Sequence, residues 1–160
     1  MIECEKCGRC CSNLRTGNDK LGLTLFPDEI HLFPEHLVRP HLARGGSLPT
    51  KIFTFQHTEN MCIHLVDKLC TIYESRPIIC RSFPIKISSR GLKFSTGCKA
   101  VLNTLKKYKT MDRDQPEVQA ALTIAERLYE YYKSLGQDEN MWRYNISKDK
   151  WEKILTFEDV

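Results

Sequence analysis

Eight cysteines stand in a chain of 160 residues: Cys4, Cys7, Cys10, Cys11, Cys62, Cys70, Cys80 and Cys98. The first four form the run Cys4-Glu5-Lys6-Cys7-Gly8-Arg9-Cys10-Cys11. A two-residue spacer lets two sulfurs turn back toward one centre. Tetrahedral zinc holds each sulfur at about 2.3 Å, so neighbouring sulfurs lie under ~4 Å apart. Gly8 relieves crowding where the backbone folds round such a centre. Two consecutive steps of this kind also hold three corners of the cubane in bacterial ferredoxins. Here a fourth cysteine follows at once. Adjacent side chains generally point apart, so Cys10 and Cys11 are expected to serve two sites, or two sides of one polynuclear site.

The other four cysteines are separated by 8, 10 and 18 positions and contain no second C-x-x-C. The two-knuckle arrangement of a zinc ribbon is therefore excluded. Eight thiolates suit two four-sulfur sites or one larger assembly. Spacing puts one or two iron–sulfur clusters first, [4Fe–4S] foremost. Structural Zn2+ comes second, and disulfides or inert core thiols third. All eight cysteines are expected to be ligands. The opening Met-Ile-Glu-Cys has neither a basic start nor an apolar core, so no secretory signal and a cytoplasmic location are expected. No uncharged run exceeds residues 118–125, far short of a membrane span.

Few other residues suggest chemistry. Arg76 and Arg81 flank Cys80, where a guanidinium can donate to thiolate or sulfide, or pair with Glu74. His57 and His64 flank Cys62. Eight cysteines fill two four-sulfur sites without them, so neither is assigned as a ligand. His31, His36 and His41 recur every five residues, which does not put them on one helical face. They are expected at the surface or in packing. No Ser/His/Asp arrangement has a nucleophile-elbow context, and no nucleotide-binding glycine fingerprint is present. The catalytic residues are unassigned.

The opening run, then Cys62, then Cys70-Thr71-Ile72-Tyr73-Glu74-Ser75-Arg76-Pro77-Ile78-Ile79-Cys80-Arg81-Ser82-Phe83-Pro84, then Cys98, closely resembles the CxxCxxCC (YkgJ) family of cysteine-cluster proteins. That family is described as a zinc- or iron-chelating domain, and its eight cysteines map onto all eight here. The resemblance implies a metal or iron–sulfur centre. One relative, the flagellin lysine N-methylase, carries a similar cysteine module and uses S-adenosylmethionine. A small methyltransferase-like enzyme is therefore a third reading.

These cysteines need a scaffold. Composition is that of a soluble globular chain, 41% hydrophobic and 28% charged, which excludes collagen-like and disordered classes. The expected fold class is α+β: a small cysteine-rich core of short strands, loops and short helices, packed on C-terminal helices. The expected domains are residues 1–100, holding the metal, and residues 101–160, a helical extension. Short strands are expected near 21–26, 51–56, 62–66 and 69–73, with a helix opening at Pro27 and a loop over 43–50. Ser75 is expected to cap a helix over 76–82. Period-two alternation on both sides of Ser88-Ser89-Arg90-Gly91 predicts a hairpin over 85–94. A helix is expected over 100–109. A stronger one is expected over 117–135, with Asp114 and Glu117 as its capping box and Gly136 at its end. Residues 142–146 read as extended, and Ser147 as the cap of a last helix carrying Trp151, Ile154 and Leu155.

The net charge of +4 is unevenly placed. Residues 81–113 carry nine bases against Asp112 alone. That block can contact an acidic protein partner or offset a thiolate-rich centre. No aromatics interleave with it as a stacking platform requires, so nucleic-acid binding is not expected. The leading expectation is an iron–sulfur protein that transfers electrons or supports a redox or S-adenosylmethionine-dependent enzyme. A zinc-stabilised interaction module is the alternative.

Overall fold

The computed structural model describes residues 4–15, 21–88, 90–101, 113–134 and 139–155. In chain order the elements are α1 (Arg9–Ser12), β1 (Leu23–Leu25), 3-10 turns at Pro27–Leu32 and Glu35–Leu37, β2 (Val38–Gly45), β3 (Lys51–His57), β4 (Leu65–Val66) and β5 (Leu69–Cys70). A 3-10 turn at Tyr73–Ser75 follows, then α2 (Ile78–Ser82), β6 (Ile85–Ser88), β7 (Gly91–Phe94), α3 (Pro116–Lys133), β8 (Asn140–Asn145) and β9 (Lys150–Ile154). The class is α+β, as expected. No helix among the described residues is long and apolar enough to cross a membrane.

The chain forms two compact units, Met1–Asn13 with Met61–Leu128, and Leu14–Asn60 with Tyr129–Val160. The boundary expected at residue 100 is not where they divide. The reason lies in strand pairing: β2, from the first half of the chain, takes β8 as its neighbour, so the C-terminal strands join a sheet rather than a separate extension.

That sheet is antiparallel, in the order β1-β3-β2-β8-β9. β3 is the expected strand of β-branched and aromatic residues. Its neighbour β2 replaces part of an expected loop. Pro40 is tolerated there because pairing to β8 begins only at Leu42, opposite Arg143, and because the β2–β3 register shifts on both sides of Leu42. Gln56, fully buried, ties the sheet together. Its Oε1 accepts the Gly22 N–H at 3.0 Å, and its Nε2 donates to the carbonyls of Pro40 at 2.7 Å and Tyr144 at 3.0 Å. One core face holds Leu42, Tyr131, Met141 and Ile154 against Phe53, whose ring stacks on Tyr131 at 3.9 Å. His41 is buried with Nδ1 3.4 Å from the Thr24 hydroxyl and 3.3 Å from that of Thr54. Burial first, then the charge of Arg143, hold its pKa down at about 4.

The helix expected after Ser147 is instead strand β9. Tyr144 meets Trp151 edge-on across the strand pair at 5.3 Å. The Ser147 hydroxyl lies 2.8 Å from an Arg15 guanidinium nitrogen that donates to it, so it caps nothing.

In the cysteine unit, the 85–94 hairpin forms as expected, Ile85 opposite Phe94 and Ile87 opposite Leu92. Gly91 takes φ +94 at its turn. Ile85 buries with Ala100, Val118 and Ala121, the last two from α3, and Phe94, Leu92 and Cys98 pack on that cluster. Asp67 and Lys68, both at positive φ, make the two-residue turn joining β4 to β5. Ser75 does not cap the next helix. It ends a 3-10 turn, and α2 starts at Ile78 behind Pro77 with no side-chain cap. Residues 102–109, Leu135 and Gly136, with the helix and cap expected there, lie outside the described residues.

Two outcomes test the sheet. Gln56→Leu removes three hydrogen bonds and leaves the buried Gly22 N–H without this acceptor, so stability to urea should fall by about 3 kcal/mol. His41 is held neutral in the fold while its unfolded counterpart protonates near the ordinary histidine value. Stability is therefore complete above about pH 6.5 and is lost as pH falls toward 4, by up to about 3 kcal/mol. Urea melts of wild type and His41→Gln across that range should show a shallower decline in the variant.

Candidate metal centre

The N-terminal cysteine loop is shaped by backbone contacts that its sequence dictates. Gly8 has φ +71, a left-handed conformation that glycine adopts without a Cβ penalty. It precedes α1, and its carbonyl accepts from the Cys11 N–H at 3.1 Å and the Ser12 hydroxyl at 2.7 Å. The Cys62 N–H then donates to the Cys11 carbonyl at 2.8 Å, which fastens this loop to the chain fifty residues later. The β4–β5 hairpin sets Cys70 opposite Leu65. Short helix α2 carries Cys80. Cys98 sits in a turn, its N–H donating to the Ser95 carbonyl and its carbonyl accepting from Val101.

These segments meet at one cleft. Its walls include Cys4, Cys7, Cys10, Cys80 and Cys98, together with Arg9, Tyr73, Arg76, Lys99 and Glu117. Cys11, Cys62 and Cys70 are not in those walls but act on them electrostatically. The Cys80 thiol is pushed up by burial first and then by Cys62, Cys10 and Cys70. Cys62 is raised by burial and then by Cys70 and Cys10. Cys98 is raised by burial, with Cys10 and Cys7 adding to it. All eight cysteines are free thiols, so the disulfide alternative finds no support. The five share a cleft rather than a ligation sphere: among the described residues no group of three His, Cys, Asp or Glu side chains stands at metal-holding distance.

Cys10 and Cys11 do not diverge as expected. Their sulfurs lie 3.7 Å apart. Successive positions on α1 are about 100° apart, which side-chain rotation closes, and 3.7 Å is within the spacing of two thiolates on one tetrahedral ion. The pair shares a proton. The hydrogen bond between the two sulfurs, in which either can donate, holds Cys10 down at about 6, while Cys11 is raised by the same bond and by burial. Arg76 lowers Cys10 further. Its guanidinium stacks over the Tyr73 ring at 3.7 Å, and its buried Nε has no hydrogen-bond partner among the described residues.

The histidines stay outside this cleft. His57 is buried in β3 with its ring 4.8 Å from that of Phe33, a packing role. The His64 carbonyl accepts from Thr71 in the β4–β5 hairpin. Of the basic block, Arg81, Lys86, Arg90, Lys93, Lys99 and Arg113 are exposed, and Lys106, Lys107 and Lys109 lie outside the described residues. Sequence reasoning missed Tyr73, Lys99 and Glu117 as walls of the cleft. Glu117 was legible only as a helix-start residue, and nothing in its local sequence ties it to the cysteines.

A family model described as "Putative zinc- or iron-chelating domain" matches residues 3–99. The chain belongs to the CxxCxxCC family. The match spans every cysteine and ends before α3. No curated protein and no solved structure matches the chain. The donor set suits the family's description. Soft thiolates select zinc and iron–sulfur centres, and repulsion among neighbouring thiols is what a bound cation reverses.

The shared proton predicts reactivity. In the reduced, metal-free protein at pH 7, iodoacetamide should alkylate the Cys10–Cys11 pair well before Cys80, because their hydrogen bond stabilises a thiolate within the pair while burial holds the Cys80 thiol protonated. Peptide mass mapping reads the order, and equal labelling would contradict the pairing.

Proposed function

We propose that this chain is an iron–sulfur protein whose eight cysteines hold one polynuclear centre or two adjacent ones, serving electron transfer or a redox or S-adenosylmethionine-dependent enzyme. The observation that carries this reading is the meeting of five cysteines at one cleft, with the other three electrostatically coupled to it. One mononuclear tetrahedral ion takes only four ligands, so this many thiolates suit a polynuclear centre.

The chain's own residues have defined parts in it. Short elements fix Cys80 and Cys98, and the Gly8 turn brings the N-terminal thiols round. An iron–sulfur cluster supplies one-electron chemistry at a potential set by charge, burial and donors to its sulfurs. Arg76 and Lys99 bring positive charge to the cleft wall, which offsets the negative charge of the thiolates and favours the reduced state. The exposed bases between residues 81 and 113 then offer an acidic protein partner a contact surface.

A zinc-binding structural or interaction module is the second reading. It is favoured by the 3.7 Å Cys10–Cys11 separation, which fits the edge of a tetrahedral zinc site.

Anaerobic purification, with iron, zinc and acid-labile sulfide measured per chain, separates the two. Iron with sulfide and broad absorbance near ~400 nm is expected; a colourless protein retaining zinc and no sulfide would replace the first reading by the second. Cys10→Ser should lose at least half the bound metal and much solubility, since metal binding is coupled to folding.

A further inference from the structure

Glu117 is the residue in the cysteine cleft that the cysteine pattern leaves unexplained. It lies in the first turn of α3, beyond the residues that the family model matches. It is 7% exposed, and its Oε2 is buried with no hydrogen-bond partner among the described residues. Charged carboxylates are rarely buried unless paired, because burying one without compensation costs several kcal/mol. Compensation by the protein's own cations is close at hand but not made. Arg9, Arg76 and Lys99 line the same cleft, yet none forms an ion pair or hydrogen bond with this oxygen.

We infer that Glu117 supplies an oxygen ligand to the metal that the cysteines hold. The inference rests on the thiolate-centre reading above and deepens it. Among the described residues no three such donors stand at metal-holding distance, so the metal must draw this carboxylate and the thiols of the shared cleft together. A carboxylate is a harder donor than a thiolate and prefers harder ions. Within a sulfur-rich shell it is therefore the most exchangeable ligand. A centre of that composition has one position from which an incoming oxygen or nitrogen donor can displace a protein group. Such a centre has a place for an incoming ligand that one closed by sulfur on every side lacks. The second unpartnered polar atom in the wall, Nε of Arg76, is suited to receive the anionic end of such a ligand.

Cobalt(II) is the probe, titrated anaerobically into the reduced full-length chain. Sulfur-to-cobalt charge transfer in the near ultraviolet reports thiolate ligation, and the visible d–d bands report the mixture of donors. Wild type should show both, and X-ray absorption at the cobalt edge should fit sulfur near ~2.3 Å and one oxygen near ~2.0–2.2 Å. Glu117→Gln should keep the charge-transfer band, change the d–d envelope and weaken cobalt binding at least tenfold, the smallest loss usual even for groups that only support a ligand. Glu117→Ala should recover the wild-type envelope with added formate.

An all-sulfur shell in wild type overturns the inference, as does a Glu117→Gln protein with unchanged affinity and d–d bands. Either result leaves the thiolate reading intact. No charge-transfer band in wild type, together with no iron, zinc or acid-labile sulfide in the anaerobically purified chain, overturns both. The wild-type X-ray absorption result decides the matter even if the variants fail to fold.

Discussion

Mutual repulsion among gathered thiolates is the constraint on which the cysteine unit depends. Two like charges 4 Å apart cost about 4 kcal/mol at the effective dielectric near a protein surface. Cys10 and Cys11, 3.7 Å apart, already form one such pair, and gathering further thiolates on one centre would add others until the sum exceeded the whole stability of an ordinary domain. Without a cation the cluster can persist only by keeping most of its protons, which is the direction in which Cys11, Cys62, Cys80 and Cys98 are pushed. Cys10 alone among them goes the other way, stabilised by its neighbour's proton and by Arg76. A metal exchanges those protons for one concentrated positive charge. Its binding is therefore coupled both to pH and to the folding of the loops that carry the sulfurs.

Those loops have little else to hold them. α1 has four residues and no buried side chain, and β4 and β5 have two residues each. Elements so short are not stable by themselves. The apolar support in this unit is the cluster of Ile85, Ala100, Val118 and Ala121, on which Cys98 packs. The cysteines of the N-terminal loop and of the 62–70 region are held mainly by turns and backbone hydrogen bonds such as Cys62 N–H to the Cys11 carbonyl. The five-stranded sheet is different in kind. It has long strands, a stacked aromatic pair and a buried glutamine bonded to three neighbouring segments, and its integrity calls for no metal.

What the sequence disclosed follows the same division. The 85–94 hairpin was legible, because alternation on both sides of a glycine turn leaves one register that buries Ile85, with Ser88 and Gly91, read as turn, closing the strand pair. Helix α3 was legible from its apolar stripe. β2 was not: Pro40, His41 and the arginines at 39 and 44 hide a strand in which His41 and Arg44 find their partners far along the chain, at Thr24, Thr54, Ser134 and Glu139. β9 was misread because Trp151, Ile154 and Leu155 sit at helical spacing, while the contact that decides the matter, Trp151 with Tyr144, is across a strand pair. At the site, residue types and spacing were enough to nominate the cysteines. The approach of Cys10 to Cys11 depends on side-chain rotation, which spacing does not encode.

Glu117 shows how a long-range placement can arise without a local signal. It precedes Val118 by one position, about 100° round the helix. Val118 and Ala121 are fixed by burial against Ile85 and Ala100, and that burial sets the rotation of α3's first turns. The carboxylate is thereby carried into the cleft by its neighbours' hydrophobic contacts, with no interaction of its own required. A charge at a helix start gains about 0.3–1 kcal/mol from the helix dipole, much less than the cost of desolvating a carboxylate without a partner. The residue thus occupies a position that apolar packing imposes and that the helix alone does not make favourable. A cation drawn to the adjacent thiols is the kind of partner that would change the sign of that balance.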